Sequence, residues 1–490
     1  MPRPHAPLHL PALLGALVVT ASAGAQPAPP TPAPHPPPAR ATPTSGFFEG
    51  RFFVADPGGR FWLAPSGRLH LDTVLFTGGV TGSYQNGAGA YRPPDVASSM
   101  FAARARTEVL AGWLDRYTLM LSFEFGTGTS TPSQAYNGAS LQNAIFNIQL
   151  ARWLNLQLGM FNTPFTIENR TSSNTSDMIE RSMTVRAFGL PGTKEWGAML
   201  WGEDPRGIVY ASVGFFGGDG NRINADGSAM VAGRVFVHPL AVARGPLAGL
   251  QLGGSALYSH AGASVNYSMQ SMRTLGGYAW FSPSAGSGMT QVTSVPSDEQ
   301  LGLAAELLVP FWRMNLRAEL VYRDYGVREV PGASAQPGVS LRSANVRGTS
   351  HYVFLDGWLW GQPRLSGSFG YQNPFRVRFD HLDQSAGPVR RALQVGARWE
   401  YTTFEYTAGD GATPSPRAGR YQLHAFGVVA NYWIERYLRF SVLYQHYYFP
   451  NADPSGSTDA PFNRAGGPHD AEGNRAVSFG ELMARAAMAF

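Results

Sequence analysis

The sequence predicts an all-β fold, a transmembrane antiparallel β-barrel of sixteen strands, on three observations. Apolar and polar residues alternate with period two along many segments. Short and long connections alternate between those segments. The chain ends inside a strand, on Phe490. Composition agrees: only 14% of residues are charged, 12% are aromatic, and there are 57 glycines, whereas a soluble domain carries about a quarter charged residues. With no cysteine, a disulfide framework, a thiolate metal site and a thiol nucleophile are all excluded.

The N-terminus reads as an export signal over residues 1–25. Arg3 and His5 precede the apolar run "LPALLGALVV", and Ala23-Gly24-Ala25 offers a small-residue cleavage site. The run falls short of the roughly 20 apolar residues a membrane helix needs. Residues 26–45, "QPAPPTPAPHPPPARATPTS", read as a Pro-rich disordered leader, since proline blocks regular structure and favours extended, solvated chain. Residues 46–490 are then the barrel domain.

Within that domain "RLHLDTVLF" sets Leu69, Leu71, Thr73 and Leu75 against Arg68, His70 and Asp72. "FAARARTEVLAG" sets Ala105, Thr107 and Val109 against Arg104, Arg106 and Glu108, and "TLMLSFEF" sets Leu119, Leu121, Phe123 and Phe125 against Met120, Ser122 and Glu124. "LQVGARWEY" sets Leu393, Val395, Ala397, Trp399 and Tyr401 against Gln394, Arg398 and Glu400. Such alternation makes strands with one apolar and one polar face. No run of 18 apolar residues follows residue 46, so helical spans are excluded.

Connection length separates a soluble sandwich from a membrane barrel. Very short joints lie near Asp115, Arg152, Pro310 and Glu435 and at Glu203–Gly207. Long polar connections fall at 77–99, 127–140, 162–194, 219–229, 261–298, 325–347, 407–419 and 450–475. Sorting by parity is the mark of a barrel with tight periplasmic turns and long outer loops. It gives strands at 61–76, 100–114, 117–126, 141–151, 153–161, 195–203, 207–218, 230–239, 247–260, 299–309, 312–324, 348–360, 390–406, 420–433, 436–449 and 476–490. "GGYAWF" and "SGSFGYQ" fit neither parity nor tight turns and are placed in connections; counting them gives the alternative of 18 strands. A sixteen-strand barrel encloses an aqueous lumen. The last strand must close on the first, because hydrocarbon leaves no partner for free backbone groups. Leu482, Ala484, Ala486 and Met488 then face lipid, Glu481 and Arg485 face the lumen, and Phe490 serves as interfacial anchor and assembly signal.

The stretch "LNLQLGMFNTPFTIENRTSSNTSDMIERSMTVRAFGLPGTKEWGAML", Leu154 to Leu200, resembles the phosphate-selective porin O/P family of Gram-negative outer membranes. The shared pattern falls on Gly159, Phe161, Pro164, Phe165, Glu168, Thr171, Ser172, Ser173, Glu180, Arg181, Ser182, Pro191 and Gly192. "GRFWLAPSGRLHLDTVLF" and "RYQLHAFGVVANYWIERYLRFSVLYQHYYF" support it, so the likeness spans about residues 60–490. The resemblance implies a sixteen-stranded homotrimeric porin of the cell outer membrane. In that family the third and fifth outer loops and one periplasmic turn fold into the lumen, here 162–194, 261–298 and 361–389.

A channel selects by width and by the charges at its narrowest part. The candidate constriction residues are Glu168, Arg170, Asp177, Glu180, Arg181, Arg186 and Lys194. The candidate wall residues are Arg68, Arg104, Arg106, Arg234, Arg313, Arg317, Arg323, Arg398, Arg439 and Arg485. Arginine stays charged and meets phosphate or carboxylate through a planar fork; the competing reading is that each offsets a lumenal acid such as Glu108, Glu124, Glu319 or Glu400. Phosphate-specific members of the family use lysines beside an arginine ladder; this chain has one lysine, Lys194, against 37 arginines. Asn162-Thr163 stand where relatives often carry a basic residue. The formal charge of +5 drops by one when Arg3 leaves with the signal. A modest anion preference is therefore expected, with phosphate as one candidate solute. The expected partners are outer-membrane lipid and small solutes or inorganic anions.

Other classes are weaker. The eleven histidines form no metal-ligand spacing; His70 and His424 are read as lumenal. "GGDGNRINADG" at 217–227 is Asp/Gly-rich but lacks the bidentate Glu of a calcium loop. Ser255 and His260 lie close in sequence without a nucleophile elbow, so a hydrolase is the lesser alternative, beside a plugged structural or adhesive barrel. No cofactor and no catalytic residue is expected. Nucleic-acid binding is not expected either, since arginines alternate along strands and form no basic patch.

Overall fold

The computed structural model describes residues 44–48, 51–81, 84–85, 91–92, 96–126, 139–174, 176–189, 194–218, 220, 227–243, 245–261, 269, 271–285, 292–331, 342–361, 391–409, 415, 417–435, 438–450 and 476–489. The signal, nearly all of the leader, Phe490, the stretch "SGSFGYQ" and almost all of the 361–389 connection lie outside the described residues.

Sixteen strands form the barrel. They are β1 (Phe61–Thr77), β2 (Ser99–Trp113), β3 (Tyr117–Glu124), β4 (Ser140–Ala151), β5 (Leu154–Asn162), β6 (Lys194–Glu203), β7 (Val209–Phe216) and β8 (Met230–Val237), followed by β9 (Gln251–Ala261), β10 (Val292–Phe311), β11 (Met314–Pro331), β12 (Arg342–Trp360), β13 (Ala392–Ala408), β14 (Gly419–Glu435), β15 (Leu438–Tyr448) and β16 (Ser478–Ala489). Each pairs antiparallel with its neighbour in sequence, and β16 closes on β1 from Gly480↔Thr77 to Ala489↔Arg68. The predicted fold class, sixteen strands and in the predicted order, is what the chain adopts. "GGYAWF" contributes Ala279–Phe281, which pairs with Met272–Arg273 in a separate two-stranded ladder and adds nothing to the wall. The ladder leaves no open edge between β1 and β16, as hydrocarbon requires.

Alternation sets the two faces. Along β1, Trp62, Ala64, Ser66, Arg68, His70, Asp72 and Val74 turn inward and are buried, while Phe61, Leu63, Leu71 and Leu75 are exposed outward. The same holds on β16, where Leu482 and Met488 are exposed and Glu481 and Arg485 are buried. Exposed aromatics gather at the short-turn end: Phe61, Trp113, Trp153, Phe311, Trp312 and Trp360, where their amphipathic rings suit the membrane boundary.

Two features depart from expectation. Ser45–Phe48 and Arg51–Ala55 form a hairpin before the barrel, and its second strand pairs with β1 through Val54↔Leu63 and Ala55↔Trp62. It covers the edge of β1 that lies beyond the end of β16 at Arg68. The ladders of β10, β11 and β12 also run further than 299–309, 312–324 and 348–360. Pro296 and Asp298 (φ 59°) sit at a register shift between Pro296 and Gln300, beyond which pairing resumes at Pro296↔Val327. A bulge of this kind breaks the alternation without ending the strand, so "VPSD" reads as loop in sequence.

Candidate pore constriction

The connection from β5 to β6 turns into the barrel. At its root Asn162 pairs with Lys194 across the ladder, and inside it carry two short helices, α1 (Ile167–Arg170) and α2 (Met183–Phe188). Thr166 caps α1 and Ser182 caps α2 with their side-chain oxygens. Further N–H groups at each helix start meet wall carboxylates. Ile167 N and Glu168 N donate to Glu319 of β11, the latter at 3.3 Å, and Met183 N donates to Glu400 of β13. A carboxylate at a helix N-terminus satisfies orphan donors and the local dipole together. Thr166 N donates to Ser255 Oγ of β9 at 3.1 Å.

Charged contacts fasten the rest of this connection. Glu180 accepts from Arg104 at 2.7 and 3.0 Å and from Arg485 at 2.6 Å. Arg485 also donates to both oxygens of Asp72, at 2.7 and 2.6 Å, and to the carbonyl of Ile179. Burial alone would raise the Glu180 carboxyl, but Arg104 and Arg485, helped by Arg186, hold it well below the ordinary carboxylate range. Asp177 accepts from Arg317 at 3.1 Å and from Gln394 at 2.9 Å. Glu168 meets Arg398 at 3.3 Å and accepts from Ser182, and Arg398 also binds Glu400 at 2.8 Å. Arg68 pairs with Glu108 and reaches Ser173 at 3.1 Å. Arg439 donates to the Ser176 carbonyl at 2.7 Å and lies over the Trp433 ring.

Three candidate cations donate to neutral oxygens. Arg181 donates to the carbonyls of Glu168 and Thr171, at 3.1 and 3.4 Å. Burial and then Arg104 pull its guanidinium down to about 10. Lys194 donates to the amide oxygens of Asn143 and Asn162, and Arg170 donates to the Asn162 carbonyl. Arg186 joins this connection to the next outer loop through the carbonyls of Arg273 and Thr274, at 3.1 and 2.8 Å. That loop, within the predicted 261–298, is itself seated against β15 and β16. Gly276 N and Thr274 Oγ1 donate to Glu481, and Leu275 N donates to Tyr447 OH at 3.0 Å.

The other candidates distribute as follows. Arg106 pairs with Glu124 at 2.8 Å, and Arg234 with Glu306 through two nitrogens. Arg323 turns inward over the Tyr325 ring, its guanidinium carbon 5.2 Å from the centroid. Arg313 is not on the wall: it lies exposed in the β10–β11 turn, donating to the carbonyls of Trp358 and Gly361. His424 is a second correction. It faces outward between Tyr401 (4.6 Å) and Tyr448 (6.3 Å), because polar residues also occupy the outer face where β12–β15 rise above the apolar band. Ser255 faces inward and His260 outward on β9, so the sheet separates that pair. Sequence reasoning named Glu319 and Glu400 only as charge partners and Ser255 only as a nucleophile. No local signal marks them as acceptors for loop N–H groups. Among the described residues no cluster of His, Cys, Asp or Glu is arranged to hold a metal ion.

Residues 75–294 match the family model of phosphate-selective porin O and P, which contains the whole Leu154–Leu200 stretch. No curated relative matches the chain. Similar solved structures include in-vitro folded OmpT, an outer membrane protein of Vibrio cholerae (TM-score 0.49, 10% identity, covering 88% of this chain and 98% of that one). Others are an anion-selective porin from Comamonas acidovorans (0.44, 10%, 88% and 100%) and the outer membrane channel DcaP of Acinetobacter baumannii (0.44, 10%, 88% and 98%).

Proposed function

We propose, for a chain whose residues 75–294 match the model of the phosphate-selective porin O and P family, a passive outer-membrane channel for small hydrophilic solutes whose constriction favours anions. One observation carries the anion preference. Arg104, Arg106, Arg186 and Arg317 keep 12–15% of their side-chain surface open, against 4–10% for their partners Glu180, Glu124 and Asp177. Part-buried Arg181, held by carbonyls, adds a cation with no carboxylate among these contacts. At these pairs the guanidinium is the more open partner, which supports a constriction that lowers the energy of an anion and raises that of a cation.

The chain is exported with its signal removed after Ala25 and assembles as a homotrimer; these readings rest on "ASAGAQ" and on the family. Phosphate is one candidate among the anions. The test is the zero-current potential of refolded residues 26–490 in a planar bilayer under a KCl gradient, followed by competition of phosphate and sulfate against chloride. An anion-preferring potential is expected; a cation-preferring one refutes the reading. A protein that inserts without conducting would favour the plugged barrel.

A further inference from the structure

Below the end of β16 the edge of β1 is completed by a segment that is not a barrel strand. Arg51–Ala55 pairs with β1 through Val54↔Leu63 and Ala55↔Trp62, and Ser45–Phe48 pairs along its other side. Asp56 closes the turn into β1. Its N–H donates to the Phe61 carbonyl at 2.9 Å, and its carboxylate accepts from the N–H groups of Phe61 and Gly58. Phe61 thus turns both backbone groups toward the hairpin, and by alternation Leu63 and Pro65 turn theirs the same way. Pro65 has no N–H to leave open on that side.

The hairpin keeps the in-and-out order of the wall. Phe53 is buried inward over Gly46, where an added Cβ would stand 3.1 Å from the ring. Phe52 and Val54 point outward and are 51% and 46% exposed. Val54 adjoins exposed Leu63, and Phe61 pairs with exposed Trp113 at the membrane boundary. Height decides what covers this face. Arg51–Ala55 runs antiparallel to β1, so stepping back from Val54 to Phe52 climbs β1 from Leu63 toward Pro65. Pro65 stands about 10 Å above Phe61 at a strand tilt near 40°, and the step to the next strand takes back only about 3 Å. Phe52 therefore lies on the hydrocarbon side of the belt that Phe61 and Trp113 mark.

We propose that acyl chains of the periplasmic leaflet cover Phe52 and Val54, making the hairpin a membrane-inserted seal where β1 outruns β16. The face is apolar and continuous with the outward residues Leu63 and Leu71 of β1. It also covers a stretch of β1 edge that would otherwise present open backbone groups to lipid. A patch two side chains wide is too narrow for a stable contact with a second copy. The inference rests on the barrel's seat in the outer membrane and is independent of what the channel conducts.

The test uses the mature chain in vesicles of phosphatidylethanolamine and phosphatidylglycerol. The sequence has no cysteine, so Phe52→Cys, Leu71→Cys and Arg60→Cys each carry a single nitroxide label. Leu71 is exposed on the outer face of β1, and Arg60 is exposed in the turn. With a water-soluble nickel chelate on both sides of the membrane, the ratio of oxygen to chelate collisions at position 52 matches position 71 and exceeds position 60 several-fold. In the unaltered protein, a phospholipid with a diazirine in its acyl chain modifies the tryptic peptide Phe52–Arg60, a measurement that needs no substitution. A label at position 52 that behaves as at position 60, one shielded from both reagents or broadened by a second copy, or a peptide without lipid adduct overturns the proposal. If position 71 also behaves as position 60, the membrane reading falls with it; if position 71 stays lipid-exposed, only the insertion of the hairpin falls.

Discussion

Replacing Arg181 by glutamine removes a part-buried cation of the proposed constriction while leaving no carboxylate stranded. Its donors reach only the carbonyls of Glu168 and Thr171, so the structural loss is about 1.5–3 kcal/mol per hydrogen bond, and the glutamine amide can keep one of them. The barrel and the in-folded connection therefore survive. The electrostatic loss is felt by the permeating ion. A unit charge about 4 Å from a passing anion is worth roughly 1 kcal/mol in water-like surroundings and more where the wall excludes water. At neutral pH Arg181 is charged, its group titrating at about 10. Its removal should cut the anion-to-cation permeability ratio on the order of fivefold, since about 1.4 kcal/mol is tenfold. The assay is the zero-current potential across a planar bilayer in a KCl gradient, with Arg313→Gln in the exposed β10–β11 turn as a control that leaves the ratio unchanged. An Arg181→Gln channel with an unchanged or larger ratio would refute the claim that guanidinium charge at the constriction sets selectivity.

Two further outcomes follow from the geometry. Glu180 has a folded pKa depressed below its ordinary 4.5, so the docking it supplies is complete above pH about 4.5 and is lost only as pH falls through the depressed value; open-channel noise should stay low down to pH about 4 and rise in stronger acid, and noise that rises between pH 7 and 5 contradicts this. At Gly159 (φ +114°) an added Cβ would stand 1.8 Å from the Ala144 carbonyl oxygen, so Gly159→Ala combines a clash with a backbone conformation costing on the order of 1–3 kcal/mol and should sharply lower the refolded yield on heat-mobility gels.

The wall was readable in the sequence because one rule, alternate residues on alternate faces, operates locally at every strand. It failed where a local event masked it, as at Pro296 and Asp298, and where the outer face turned polar again, as at His424. Arg313 misled for a related reason: a turn residue keeps the parity of the strands it joins without sharing their wall. The constriction was readable only in part. Glu168, Asp177, Glu180 and the Thr171-Ser172-Ser173 run marked the right segment, but their partners Arg398, Arg317, Arg485 and Arg68 lie on distant strands, with |i−j| of 305 between Glu180 and Arg485. Which wall residue meets which loop residue is decided by barrel closure and loop packing. Neither leaves a periodic trace.

Arg485 sits at the seam, gripping Asp72 on the first strand with one hand and Glu180 with the other. Closing the barrel and completing the contacts of Glu180 are consequently coupled. Until the last strand pairs with the first, Glu180 has Arg104 to hold it but lacks the second guanidinium of Arg485.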